Sequence, residues 1–392
     1  MNRVCVLTSS IALCITLLIC TMISLRYHRR SKFIKTGKLT FGEDLYQLSS
    51  AQKNRNQRSM ISAIFTFDIP DLDRRKKVID TIVKGTDKFT KVYFKKYKHV
   101  YNSLHDKILY IENKKSNIHD NIDCFSASPL LLIYSYDQSK ILVIMDHVYI
   151  GGYFFQEWGT HVFGGTQINP YRLNYQLGLS ELIALRFLLC KATPTYIKPQ
   201  KDNLTLIDNR DQLKRFGIKI DVGKVKGKIN PKIYIIDYLA KLLLKYLSIE
   251  RRLNILLPIA FENDEYAYNN VGGIFIDVGL NDTIEDITKK LTSNRYNAVA
   301  TNLLMQLMNK GKETRQKIDV IMTIGFIKEP TLVSLDELKQ VEVSYSDIAH
   351  YGIYCASFTY GTVANVTVTI NTKKFAYDSL IKHESNIFEI NH

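Results

Sequence analysis

The sequence predicts a two-lobed α/β (α+β) body with mixed sheets, preceded by one N-terminal transmembrane helix. Three observations lead to this fold class. The segment from Val4 to Leu25 contains no charged residue, whereas the rest of the chain is mixed in polarity. Strand-like and helix-like segments alternate from Met60 onward, in two halves of similar size. The chain has 392 residues, of which 46% are apolar and 11% aromatic, so it can bury a large core.

The apolar segment predicts a membrane anchor. As a helix, Val4 to Leu25 is long enough to cross about 30 Å of hydrocarbon. A cleaved signal peptide is the alternative, but the apolar run is long for one and no Ala-x-Ala-like site follows it. Only Arg3 precedes the segment, and a basic collar follows it, made of Arg26, Arg29, Arg30, Lys32, Lys35 and Lys38.

This charge asymmetry predicts a single-pass membrane protein with the bulk of the chain in the cytosol. The basic collar would also attract anionic lipid headgroups. Three Asn-x-Ser/Thr sequons, at Asn203, Asn281 and Asn365, point in the opposite direction. Three of the six cysteines lie in the apolar segment, and the other three are widely separated. Neither a metal-binding spacing nor a disulfide framework is visible, which is typical of a reducing compartment.

The net charge of +15 is compatible with a membrane surface, a phosphorylated co-substrate or nucleic acid as a partner. The cluster from Lys84 to Lys98 interleaves lysines with aromatic residues, as proteins that bind single strands do. An amphipathic helix with a solvated face gives the same pattern. Because no nucleic-acid motif is present, we do not expect nucleic acid to be the partner.

The order of the elements predicts five regions. They are a transmembrane anchor (1–25), a basic linker (26–58), an N-terminal lobe (59–200), a polar crossover (201–230) and a C-terminal lobe (231–392). In the N-terminal lobe we predict a strand from Met60, a helix after Pro70-Asp71, a hairpin of Leu130–Tyr136 with Lys140–Met145, and a helix over Ser180–Cys190.

The C-terminal lobe carries clear start signals for its helices. Asn230-Pro231 predicts a helix with proline in its first turn, and Thr283 to Asp286 resembles a capping box. A further helical run covers Arg295–Met308. The remaining predicted elements are strands, at Ile255–Phe261, Ile274–Val278, Ile318–Phe326, Gly352–Tyr360 and Ala364–Ile370.

One strand ends at a residue that could do chemistry. The apolar run Ile141 to Met145 leads to Asp146 and His147, and the glycine pair Gly151 and Gly152 follows. A strand that delivers one imidazole to its end can hold a general base that titrates near neutral pH. A buried strand whose histidine makes a structural hydrogen bond is the alternative.

The segment Asp146-His147-Val-Tyr-Ile-Gly151-Gly152 resembles the His-His-x-x-x-Asp-Gly signature of the coenzyme-A-dependent acyltransferase superfamily. That superfamily includes chloramphenicol acetyltransferases, peptide-synthetase condensation domains, alcohol acetyltransferases and wax ester synthases. Asn269-Asn270-Val-Gly272-Gly273 resembles the Asn-x-x-Gly-Asn-like segment of the wax synthases, with Gly273 replacing the final asparagine. Tyr351 to Val363 resembles their closing hairpin. The order of elements agrees from about residue 60 to residue 385.

The resemblance implies a chloramphenicol-acetyltransferase-like fold and transfer of an acyl group from acyl-coenzyme A to an alcohol or amine. His147 would be the general base, and coenzyme A would enter as a co-substrate rather than as a bound cofactor. The tetrahedral intermediate needs a hydrogen-bond donor, for which Asn270, Ser357 and Thr359 are the candidates.

This chain departs from the signature at two positions. Asp146 replaces the first histidine, and Gly151 replaces the aspartate whose carboxylate normally shapes the loop around the base. The second change motivates an alternative function, a catalytically inactive member of the same fold that serves as a binding or scaffold protein.

Overall fold

A computed structural model describes residues 16–18, 20–21, 60–96, 108–114, 117–118, 130–146, 152–166, 213–225, 227–247, 251–260, 271–293, 318–345, 352–372 and 387–389. From residue 60 onward, these residues form helices and two β-sheets. The helices are α1 (Leu72–Lys96), α2 (Gly152–Phe163), α3 (Pro231–Tyr246) and α4 (Ile284–Ser293). The strands are β1 (Met60–Phe67), β2 (Leu109–Glu112), β3 (Leu130–Ser135), β4 (Lys140–Asp146), β5 (Leu213–Asp221), β6 (Leu253–Ala260), β7 (Val271–Val278), β8 (Val320–Ile327), β9 (Leu338–Tyr345), β10 (Ile353–Tyr360), β11 (Val363–Asn371) and β12 (Ile387–Glu389).

The first sheet has five strands in the order β2-β3-β4-β1-β9, so β4 is its central strand. One face packs on α1 and α2, because the residues of β1 and β4 that point this way, including Phe65 and Val143, are apolar and buried. Strands β3 and β4 form the predicted hairpin. They are antiparallel, with Ser135 opposite Lys140. Helix α1, which the sequence predicted, buries the apolar residues Val78, Ile79 and Ile82 and leaves Leu72 in its first turn exposed.

The second sheet has seven strands in the order β12-β5-β11-β10-β8-β6-β7. Helices α3 and α4 contribute to a second core, which covers one face of this sheet. Both helices begin as predicted. The Asn230 side chain accepts a hydrogen bond from the Lys232 amide, and Thr283 and Asp286 exchange the two bonds of a capping box.

Strand β9 joins the two sheets. It pairs with β1 in the first sheet, although it comes from the segment that we predicted as the C-terminal lobe. The amide of Val343 in β9 also donates a hydrogen bond to the Thr367 hydroxyl in β11 of the second sheet. The sequence did not predict β9. Through this strand, a segment of the predicted C-terminal lobe becomes part of the first sheet.

The segment 201–230, which we predicted as a crossover, contains β5, and β5 is an integral strand of the second sheet. Its polar composition has a structural cause. Phe216, Ile218 and Ile220 are buried in the core, whereas Lys219 on the alternate face and Lys214 at the start of the strand are exposed. The predicted helices at 180–190 and 295–308 lie outside the described residues.

The predicted transmembrane helix also falls largely outside the described residues. Residues 16–18 and 20–21 are helical, and Leu17 and Leu18 are exposed. In the part of the chain that the structure describes, no helix combines the length and the apolarity needed to span a bilayer. The anchor therefore stays a prediction.

Candidate active site

The candidate site lies where the central strand of the first sheet ends. Strand β4 ends at Asp146, and α2 begins at Gly152, the second glycine of the predicted signature. His147 and Gly151 lie outside the described residues. The two elements that flank these residues in the chain, β4 before them and α2 after them, define where the site lies.

Aromatic packing holds α2 between the two sheets. Phe155 stacks on Trp158 with ring centroids 5.5 Å apart and also contacts Phe358 of β10 at 5.4 Å. Trp158 contacts Phe65 of β1 at 5.6 Å, and its indole N–H donates a 2.9 Å hydrogen bond to the hydroxyl of Thr86 in α1. Large rings on both sides of α2 fix the position of this helix, and therefore of its first turn, which follows His147 in the chain.

Gly159 brings α2 unusually close to the second sheet. A Cβ atom at this position would lie 2.7 Å from Cδ1 of Ile327 in β8 and 3.7 Å from the ring of Phe358. Any larger residue at this position would therefore require the end of the Ile327 side chain to shift. The sequence did not reveal this close approach of α2 to the second sheet, because Ile327 lies in a strand far along the chain.

The two faces of β10 have different surroundings. Tyr354, Ala356, Phe358 and Tyr360 belong to the core that contains α2. Ile353 and Cys355 belong to the core under α3. Because side chains alternate along a strand, Ser357 and Thr359 share the α3 face. Both are buried, and neither hydroxyl has a hydrogen-bond partner among the described residues. Two of the three predicted oxyanion donors thus face away from α2.

The face of β10 toward α2 presents a different hydroxyl group. The phenol oxygen of Tyr354 lies 3.0 Å from the hydroxyl of Thr323 in β8. Burial raises the pKa of Tyr354 to about 12, so the phenol is neutral and can donate a hydrogen bond at physiological pH. Gly325 follows Thr323 on the same face of β8, and among the described residues a Cβ atom there would meet only the carbonyl oxygen of Ser357, at 3.8 Å. This face therefore has a small open notch beside the hydroxyl pair.

The direction of α2 places its start toward this notch. Near its end, Phe163 contacts Tyr360, with ring centroids 5.5 Å apart. Eight residues earlier, Phe155 contacts Phe358. The helix and β10 therefore run in the same direction, so the beginning of α2 points toward the beginning of β10, where Tyr354 lies. Sequence reasoning missed Tyr354, because alternation alone does not say which face of a fully buried strand meets which neighbour.

The other residues singled out in the sequence lie elsewhere or outside the described residues. Asn270 is not described, and Gly273 lies in β7, where a Cβ atom would come 2.7 Å from Leu256. His161 lies on the surface of α2 against the ring of Phe89, and burial and the nearby Lys88 lower its pKa. Within the described ranges, no group of three or more His, Cys, Asp or Glu residues could hold a metal ion.

Comparison with known proteins gives similarity in structure alone. No protein-family model and no curated protein matches the sequence. The epimerization domain from the third module of tyrocidine synthetase B matches with a TM-score of 0.50 and 8% identity, over 88% of this chain and 93% of that one. The starter condensation domain of rhizomide synthetase, in complex with C8-CoA and Leu-SNAC, matches with a TM-score of 0.48 and 7% identity, over 88% and 90%.

The similarity to the epimerization domain is a similarity of fold, as few residues are identical. The match extends over nearly the whole epimerization domain, so it includes both sheets of this chain. The chain therefore shares the fold of this epimerization domain.

Proposed function

We propose that this protein is a membrane-anchored acyltransferase, which transfers an acyl group from acyl-coenzyme A to an alcohol or amine, with His147 as the general base. The observation that carries the proposal is the position of the signature in the fold. His147 directly follows β4, the central strand of the first sheet, and α2 follows it, packed on the second sheet.

In this mechanism His147 takes the proton from the acceptor hydroxyl or amine. The acceptor oxygen or nitrogen then attacks the thioester carbonyl carbon, and the carbonyl oxygen becomes an oxyanion. Collapse of the intermediate breaks the carbon–sulfur bond, and the coenzyme A thiolate leaves with the proton that His147 had taken. The products are the ester or amide and free coenzyme A.

We assign the oxyanion donor to Tyr354 rather than to Ser357 or Thr359. The support is its position on the α2 face of β10, next to Thr323 and the notch at Gly325. A neutral phenol held by a second hydroxyl is a preorganised donor. Asn270 remains a further candidate for this role.

The membrane part of the proposal rests on the uncharged segment Val4 to Leu25 and its basic collar. The cytosolic orientation has one supporting observation in the fold. The sequon asparagine Asn365 is only 5% exposed and lies within β11, so it is not accessible to glycosylation in the folded chain. Asn281 is exposed, and Asn203 lies outside the described residues.

A catalytically inactive scaffold with the same fold is the second candidate function. Gly151 favours it, because the signature aspartate is missing at that position. In this alternative the space between the sheets binds a ligand without turning it over.

The full-length chain in detergent or vesicles tests the two functions against each other. Release of free coenzyme A would be measured with acyl-coenzymes A of several chain lengths and with alcohol and amine acceptors. We expect turnover that His147→Ala abolishes and that the control His161→Ala, on the surface of α2, leaves intact. Turnover that survives His147→Ala would contradict the mechanism. Binding of acyl-coenzyme A without turnover by the unmodified chain would favour the scaffold.

A further inference from the structure

Helix α1 carries an exposed face of lysines. Lys77, Lys84, Lys88 and Lys91 are exposed, and they follow one another at intervals of seven, four and three residues, which places them on one side of a helix. We call these four residues the lysine face. It extends about 20 Å along the helix axis. The opposite side of α1, with Val78, Ile82 and Tyr93, is buried in the core.

The lysines are not used to hold the fold together. The two arginines of α1 turn toward the protein, where Arg74 binds Glu337 and Arg75 binds the backbone carbonyl oxygens of Ile69 and Tyr136. Of the lysine face, Lys91 alone forms an ion pair among the described residues, an exposed one with Asp87, and such pairs contribute little. Most of the positive charge of this face is therefore available to a partner.

The shape and surroundings of the face indicate which partner it fits. The aromatic residues that the sequence interleaves with the lysines could have served as stacking platforms for bases. Phe89 and Tyr93, however, pack on Phe154 in the core. The face is bordered instead by an apolar residue, Val92, which lies one turn from Lys88 and is 65% exposed. Lysines beside an exposed aliphatic side chain on a convex helix are suited to the headgroup region of an anionic bilayer.

We propose that the lysine face of α1 docks on the anionic surface of the membrane in which the N-terminal segment is anchored. The inference rests on the proposed anchor, and it adds which side of the folded body lies toward the lipid. The segment Val4 to Leu25 with its basic collar brings the folded body close to a bilayer. Each lysine near a surface that contains phosphatidylserine then adds to the attraction.

The test uses the full-length chain in vesicles of phosphatidylcholine, with or without phosphatidylserine. A fluorophore replaces Thr81, which is exposed beside the lysine face, and energy transfer to a lipid-bound acceptor reports its distance from the bilayer. A second fluorophore in place of Asn281, which is exposed in the other half of the molecule, is the reference. We expect stronger transfer from position 81 than from position 281 when phosphatidylserine is present, and loss of this difference at high salt.

The charge variants make the test specific. Replacing Lys77, Lys84 and Lys88 by Gln should weaken docking on the order of a hundredfold, if each lysine contributes the usual increment. The matched control replaces Lys224, Lys228 and Lys289 by Gln, three exposed lysines in the other half of the molecule, and should leave docking unchanged. Equal loss in the two triple variants, or equal transfer with and without phosphatidylserine, would overturn the proposal.

Two further outcomes separate the possible failures. If alkaline carbonate extracts the chain from the vesicles, the proposed anchor is wrong, and the docking proposal fails with it. If the chain resists extraction but position 81 does not approach the lipid, only the docking proposal fails. A single-stranded oligonucleotide that displaces the lysine face from the vesicles at equal phosphate concentration would identify nucleic acid as the partner and overturn the membrane assignment.

Discussion

The backbone amide of Val343 donates a 2.9 Å hydrogen bond to the hydroxyl of Thr367, and this bond connects the edge of the first sheet to the face of the second. Thr367→Val would leave a buried N–H without an acceptor, at a cost of roughly 1–3 kcal/mol in the free energy of unfolding. Denaturant unfolding measures it. The control is Thr369→Val on the same face of β11, where the buried hydroxyl has no hydrogen-bond partner in the part of the chain that the structure describes. That variant should be neutral or stabilising, and equal losses in both would contradict the assigned role of Thr367.

Close packing of α2 on β8 gives a second prediction. In Gly159→Ala the new methyl group overlaps the end of the Ile327 side chain, and the higher helix propensity of alanine offsets part of the cost, so we expect a net loss of up to about 2 kcal/mol in the free energy of unfolding. Adding Ile327→Val removes the atom that the methyl group meets first and should restore part of the stability. Gly325→Ala on the same strand has open space and should be tolerated. A double variant no more stable than Gly159→Ala alone would show that this contact does not limit the packing.

The assignment of the oxyanion donor is tested by two substitutions on one strand. Tyr354→Phe removes the hydroxyl that faces α2, and we expect kcat to fall about 10²–10³-fold while the fold is retained. Ser357→Ala removes a hydroxyl on the opposite face and should leave kcat unchanged. Steady-state kinetics with acyl-coenzyme A gives both values. The reverse result, with Ser357→Ala inactive and Tyr354→Phe active, would return the role to the residue that the sequence suggested.

An ion-pair cluster beside α4 predicts how stability depends on pH. Burial disfavours ionisation of Asp282, but hydrogen bonds from Lys290 and Arg252 outweigh it and lower the pKa to about 2 from the ordinary 3.8. Because folding lowers the pKa of Asp282, its ionised carboxylate stabilises the folded state fully above about pH 3.8. This stabilisation is lost as the pH falls through about 2. Asp282→Asn should therefore lower stability at neutral pH and reduce its decline between about pH 4 and pH 2. Thermal unfolding as a function of pH checks this, with the exposed Asp336→Asn as the control.

Local signals in the sequence were sufficient for most elements. The hairpin around residues 137–139, the cap at Asn230 and the capping box at Thr283 depend on residues within a few positions of one another, so their pattern alone predicts the structure. The same holds for α1, whose apolar stripe has the helical period. Strand β5 was missed because its exposed lysines, Lys214 and Lys219, gave the segment the polar composition of a linker. Strand β9 was missed because its partner, β1, lies far away in the chain.

The sequence by itself determined the fold class, the order of most elements and the signature that ends β4. Only the tertiary structure decided that β9 crosses into the first sheet and that Tyr354, rather than Ser357 or Thr359, shares a face with α2. The physical reason lies in the burial of β10, whose residues are buried on both faces. Such a strand has no polar–apolar alternation to mark its orientation. Its orientation follows from the packing of Phe155 and Gly159 on Phe358 and Ile327, contacts that exist only once both sheets have formed.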